Sequence, residues 1–151
     1  MRIAIGADHA GYILKEELIK TLESLNCNIE DIGAYKLDPL DDYPDFAIKV
    51  ANKVASGDCL KGIVICGSGV GASIATNKIR GVRASVCHGT YSAGQGVEHD
   101  DMNVLCLGGR IIGEELANKI VEAFVNAEYK PEKRFQRRKE KLQQIEKNNF
   151  S

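Results

Sequence analysis

Five short apolar runs recur along the 151-residue chain: RIAIG (2–6), NIEDIG (28–33), GIVIC (62–66), RASVC (83–87) and VLCLG (104–108). Each is separated from the next by a stretch with helical spacing. Residues 12–25 place Leu14, Leu18, Leu22 and Leu25 on one helical face. Asp42-Tyr43-Pro44 reads as a helix start, with Pro44 near the first helical position and Phe46, Val50 and Val54 as the core stripe. Helices are also expected over 70–79, from Ser92 to His99, from Gly113 to about Asn126 and from about Glu132 to Lys147. Residues 33–42 read as a polar loop. Strands that alternate with helices pair in parallel, so the expected class is α/β. The expected architecture is a five-stranded, doubly wound parallel sheet in an αβα sandwich, with one extra C-terminal helix. No linker, repeat or low-complexity segment divides the chain, which reads as one domain over 1–151.

In such sheets ligands sit at the carboxyl ends of the strands, near the point where the winding direction switches. That rule selects Asp8-His9 after the first run, Cys66 to Gly71 after the third and His88 after the fourth. Gly67-Ser68-Gly69-Val70-Gly71-Ala72 fits G-x-G-x-x-A between a strand and a helix. A dinucleotide site also needs a carboxylate at the end of the next strand to hold the ribose hydroxyls. That strand ends in Cys87-His88-Gly89, which offers none, and Gly6 to Gly11 lacks the Gly-Lys-Ser/Thr of a P-loop. One or two glycines are explained by backbone freedom in a tight turn. Three, with the small Ser68 between them, suit amides converging on a small anion: a phosphate, or an oxyanion formed during reaction. Cys66 is either packing or chemistry; its place just before a helix start, where the dipole stabilises a thiolate, favours chemistry. Asp8 is either a helix cap or a site residue, and His99, in the polar GVEHDDMN stretch, is either solvated or functional. For His88 both readings stay open.

Charge and cysteine usage narrow the partners. The net charge is −1, yet residues 130–147 carry eight Lys/Arg and three Glu, a local excess of +5. A basic tail serves nucleic acid, an anionic substrate or only a solvated helix. Five scattered cysteines, with no CxxC pair and no export signal in MRIAIGADHAG, point to reduced thiols and a cytoplasmic protein. No apolar run is long enough to span a membrane. No four Cys/His ligands have zinc-site spacing, so no structural metal is expected.

IAIGADHAG, DDYPDFA, ICGSGVGASIATNKIRGVRA, EHDDMNVLCLGGRIIG and KRFQRRKEKL together cover nearly the whole chain. They resemble the type B ribose-5-phosphate isomerases, within the sugar-phosphate isomerase family that also holds the galactose-6-phosphate isomerase subunits. The resemblance implies a Rossmann-like sheet, and a homodimer or dimer of dimers with its active site between subunits. It implies interconversion of ribose 5-phosphate and ribulose 5-phosphate with no cofactor and no metal. It assigns Cys66 as the base that moves the proton between C1 and C2, and His99 as the group that opens the furanose ring and donates a proton. Asp8 and Tyr43 contact the sugar. Gly67, Ser68, Gly69, Val70 and Gly71 hold the enediolate through backbone amides. His9, Arg110, Arg134 and Arg138 bind the phosphate. Some members carry a glutamate base in the glycine loop; here that position is Ala72, so the cysteine arrangement applies. Two residues depart from the pattern. Asp100 replaces a common Asn at the sugar-contact position and brings a negative charge beside His99, and Phe135 replaces a histidine between the tail arginines.

The chemistry agrees with that assignment. Aldose–ketose isomerisation needs a positioned base and fixed donors for the oxyanion. On a helix that starts near residue 132, Arg138 lies about 40° and Phe135 about 100° from Arg134, with Ile145 about 20° away. That places Arg134 and Arg138 on an apolar docking face, where a guanidinium requires an anion, and turns Arg137 away. Competing readings are an isomerase of allose or galactose 6-phosphate, a non-catalytic sugar-phosphate sensor, and a nucleic-acid binder that uses the tail. Within the resemblance, His99 with the Arg134/Arg138 pair favours the pentose enzyme, because the galactose-type subunits usually lack that pattern. Cys66 beside an amide-rich loop has no purpose in the last two.

Overall fold

Side-chain alternation sorts the chain into three layers. In the computed structural model, which describes residues 1–150 and leaves Ser151 outside, eleven elements follow one another. They are β1 (Arg2–Ala7), α1 (Tyr12–Ser24), β2 (Asn28–Gly33), α2 (Tyr43–Ala55), β3 (Lys61–Cys66), α3 (Val70–Thr76), β4 (Ala84–Val86), α4 (Thr90–Asp100), β5 (Val104–Gly108), α5 (Glu114–Asn126) and α6 (Lys133–Asn149). The strands form one parallel sheet in the order β2-β1-β3-β5-β4. Successive residues of a strand face opposite sides. Ile3, Ile5, Ile63, Ile65, Leu105 and Leu107 therefore pack against α1, α4 and α5. Ala4, Val64, Cys66, Val104 and Cys106 pack against α2 and α3. Every residue of the central strand β3 is buried, as a strand covered on both faces demands. This is the expected Rossmann-like, single-domain α/β fold.

Lys61, at the start of β3, is buried and donates to the carbonyls of Phe124, Val125 and Ala127 at 2.6, 3.3 and 2.8 Å. It thereby satisfies acceptors that the end of α5 leaves open. Burial draws its ammonium down to about 8.

Three expectations are corrected. The helix after the glycine loop ends at Thr76, short of 79, because Lys78 and Ile79 bond back only three residues, to Ala75 and Thr76. The fourth strand is three residues long where five were read, since the Arg83 N–H leaves the ladder for the Asn103 side chain. The tail arginines do not lie on the docking face. α6 docks through Phe135, buried against His99, then through Lys139 to Asp101 at 2.6 Å and Glu146 to the Gly81 N–H at 2.6 Å. That stripe is centred about 120° around the helix from Arg134. Arg134, Arg138 and Ile145 are accordingly exposed.

Candidate active site

The winding direction changes on both sides of β3. The chain leaves β1 and β5 towards the face of α1 and α5, and leaves β3 towards the face of α3. The crevice opened this way lies at the carboxyl end of β3, where Cys66 is the last residue. Three loops meet there, backbone against backbone. A Cβ on Gly11 would lie 2.4 Å from the Ile65 carbonyl oxygen, and one on Gly109 would lie 2.4 Å from that of Ala10. One on Gly108 would lie 2.8 Å from the Ser68 carbonyl carbon. Hydrogen bonds from Gly109 N–H to Cys66 O at 2.8 Å and from Arg110 N–H to Gly67 O at 3.1 Å stitch the loops together.

Cys66 is 4% exposed, and its sulfur accepts the Gly69 N–H at 3.2 Å. Gly69 is left-handed, with φ of 81°, a conformation that favours glycine, and a Cβ there would lie 3.0 Å from the Leu107 carbonyl carbon. Val70 N–H is taken by the Ser68 hydroxyl at 3.3 Å. The N–H groups of Gly67, Ser68 and Gly71 have no hydrogen-bond partner among the described residues, so they are available to an anion beside the thiol. Tyr43, the first residue of α2, lays its ring on Gly71: a Cβ there would fall 2.5 Å from the ring Cζ. Arg110 extends beside Gly67.

Asp8 is buried in the β1–α1 turn, where its Oδ1 accepts the N–H groups of Ala10 and Gly11 at 3.0 and 3.2 Å. It closes the turn ahead of α1 and does not cap the helix itself, whose N-cap is Gly11 with no side-chain cap bond. Burial pushes its carboxyl above the ordinary range, against the pull of the Gly11 N–H and His9. His9 donates its backbone N–H to Asp41 Oδ1 at 2.9 Å and pairs its Nδ1 with the same oxygen at 2.7 Å. That bond raises the His9 pKa above its ordinary value. The ligand atoms of Asp8, His9 and Asp41 lie within 4.8 Å of one another, but the His9 nitrogen and an oxygen of each carboxylate are engaged by these hydrogen bonds. His88 Nε2 accepts the Gly108 N–H at 3.0 Å and ties the loop after β4 to the end of β5.

The remaining sequence candidates lie elsewhere. α4 runs back from the carboxyl end of β4 to the amino end of β5, so His99 and Asp100 sit at the opposite end of the sheet from Cys66. The His99 ring stacks on Phe135 with centroids 3.9 Å apart, and its Nδ1 meets the Gln95 side-chain amide at 2.9 Å. The Arg134 guanidinium lies 4.8 Å over the same Phe135 ring. Asp100 is exposed and makes no ion pair among the described residues. One chain thus carries two clusters: Cys66, the glycine loop, Asp8, His9, Tyr43 and Arg110 at one end, and His99, Asp100, Arg134 and Arg138 at the other. Two residues escape the sequence reading. Gln95 has a signal, its i,i+4 spacing to His99 on a helix. Asp41 has none, since 32 residues separate it from His9.

A family model described as Ribose/Galactose Isomerase matches residues 3–142. Ribose-5-phosphate isomerase B of Escherichia coli (strain K12) is 45% identical over 145 residues, which span 96% of each chain. The structure of ribose-5-phosphate isomerase B from Clostridium thermocellum superposes with a TM-score of 0.93 at 45% identity, covering 98% of this chain and 99% of that one. The Mycoplasma genitalium enzyme, solved with bound ribulose 5-phosphate, gives 0.92 at 40% identity over 98% and 97%. Two other relatives are named D-erythrulose-4-phosphate isomerases. The crevice at β3 and these likenesses along almost the full length lead to one conclusion: the chain belongs to the ribose/galactose isomerase family.

Proposed function

We propose that the protein interconverts D-ribose 5-phosphate and D-ribulose 5-phosphate through an enediolate, as a cytoplasmic enzyme of pentose phosphate metabolism. The observation that carries this reading is the Cys66 thiol, with the Gly69 N–H at 3.2 Å and unpaired loop amides around it. Cys66 takes the C2 proton of the open-chain aldose and returns it at C1, while the hydroxyl proton of O2 passes to O1. Charge that develops on the substrate oxygen is held by the N–H groups of Gly67, Ser68 and Gly71, donors that need no rearrangement as the reaction proceeds. Val70 lines the same loop. Asp8 and Tyr43 fix the sugar hydroxyls. His9 and Arg110 form a cationic corner for the phosphate.

The ring-opening group His99, the sugar contact Asp100 and the phosphate arginines Arg134 and Arg138 complete the site from a second copy of the chain. Two observations support this: the two clusters lie at opposite ends of one sheet, and both arginines are exposed with no acid bound to them among the described residues. A homodimer or dimer of dimers follows, and Phe135 orients both His99 and Arg134 within it. The five cysteines are free, and no helix is long and apolar enough to cross a membrane.

The test is a coupled isomerase assay on ribose, allose and galactose phosphates and erythrulose 4-phosphate in parallel. Fastest turnover of the pentose phosphate supports the proposal. A second reading, a four-carbon substrate, draws on the relatives named for erythrulose 4-phosphate; preference for that ketose in the same assay would establish it.

A further inference from the structure

Asp41 lies in the loop ahead of α2 and gives one oxygen to two groups of a single distant residue: the backbone N–H and the Nδ1 of His9. A carboxylate can only accept, so Nδ1 carries a proton. Nε2 is then the one ring nitrogen left for a ligand. The Asp41 side chain is 11% exposed, and its second oxygen is enclosed with no hydrogen-bond partner among the described residues. A carboxylate enclosed in this way requires an adjacent cation, and the His9 ring is the group it meets. The charged groups that face His9 are Asp8 from its own loop, Asp41 from the loop before α2 and Arg110 from the loop after β5. Two carboxylates thus outweigh one guanidinium around the imidazole.

We propose that Asp41 is a positioning residue that holds His9 as an imidazolium, with Nε2–H presented to the substrate's phosphate. This rests on the isomerase reading above. A phosphate ester carries about −1.5 to −2 charges at pH 7, and a charge-assisted bond to it is about twice as strong as a neutral one. Neutral His9, with its proton on Nδ1, would instead offer the phosphate a lone pair. Asp41 prevents that. The same oxygen also ties the 33–42 loop to the site through the His9 backbone.

Asp41→Asn separates the two roles, because the amide oxygen still accepts both N–H groups and only the charge is lost. With ribose 5-phosphate the expected result is a KM raised about tenfold, with a much smaller change in kcat. The alkaline fall in kcat/KM should also move to lower pH. The sign follows from the raised His9 pKa: the cation persists to higher pH while Asp41 is charged, and is lost earlier without it. A nitrogen–proton NMR titration of the histidine rings with inorganic phosphate gives a readout that needs no turnover. The wild-type His9 should show protonated Nδ1 and the higher midpoint. Should Asp41→Asn keep the wild-type KM, pH profile and His9 midpoint while Asp41→Ala raises KM, Asp41 is only a loop staple and the proposal is overturned. If the wild type turns over none of the sugar phosphates, the isomerase reading fails, and the NMR comparison still decides whether Asp41 sets the charge of His9.

Discussion

Replacing Gly71 by alanine sets two effects of known sign against each other. Gly71 is the second residue of α3, and alanine inside a helix gains about 1 kcal/mol over glycine. The new Cβ, however, would lie 2.5, 2.7 and 2.8 Å from Cζ and the two Cε atoms of Tyr43. Ordinary carbon contacts are about 3.5–4.0 Å, so the ring must retreat by about 1 Å. Overpacking of this kind costs about 1–3 kcal/mol in a closed core. Tyr43 is 38% exposed and can swing towards solvent, so the lower end of that range applies. The two effects then nearly cancel, and the melting temperature should move by less than about 4 °C. Activity should not be spared, because a group misplaced by about 1 Å can cost about 100-fold. The expected kcat/KM for ribose 5-phosphate is about 10- to 100-fold lower. The Gly71→Ala/Tyr43→Ala double variant should be no worse than Tyr43→Ala alone, since both act through one ring. Wild-type kcat/KM in Gly71→Ala would refute the argument. So would losses that multiply in the double variant, which would move the effect from Tyr43 to the Gly71 amide.

Cys66→Ala should fold normally and lose isomerisation by a factor of about 100 to 10,000, while Cys27→Ala and Cys59→Ala stay active in the same assay. Exhaustive chelation should leave the wild-type rate unchanged; a loss restored by one added divalent ion would reject the metal-free scheme. His99→Asn should slow ribose 5-phosphate far more than proton exchange on ribulose 5-phosphate, a ketose that cannot close a five-membered ring; equal losses in single-turnover kinetics would remove ring opening as its role. Lys61→Met should change how stability depends on pH. The wild-type lysine titrates at about 8 when folded and near 10.4 unfolded, so between those values the unfolded chain binds more protons. Wild-type stability should therefore rise relative to Lys61→Met as pH climbs from about 8 to 10, by up to about 3 kcal/mol, as read by urea unfolding at each pH.

The elements that depend on local pattern were legible in the sequence. The runs that became β1, β3 and β5 are covered by helices and almost wholly buried, while β2 and β4 sit half-buried at the sheet edges; Pro44 marked the start of α2 because proline fits a first turn. Strand order was not legible, since β5 slips between β3 and β4 for reasons of crossover packing that no local pattern encodes. The face of α6 was misjudged because Ile145 was counted as core. Beyond Phe135, docking uses polar partners, Lys139 with Asp101 and Glu146 with Gly81, and these depend on what the opposite surface offers. Cys66, the glycine loop, Asp8 and His9, which the fold gathers at one end of the sheet, were picked out by the rule for strand ends. Asp41 was not, since a side chain that approaches from a loop 32 residues away leaves no trace in spacing.

The close approach of the three loops under the thiol carries a lesson for redesign. Gly11, Gly108 and Gly109 leave no room for a methyl group, so the floor of the crevice admits no variation in side chains. A change of sugar length has to be written on the walls: Tyr43 and the 33–42 loop. Combinatorial libraries at 8–11, 67–71 and 108–110 should return almost only dead clones. Libraries at 35–40 and 42–43, with Asp41, Phe135 and the two phosphate arginines kept, should yield enzymes with the same proton transfer and a different choice of sugar.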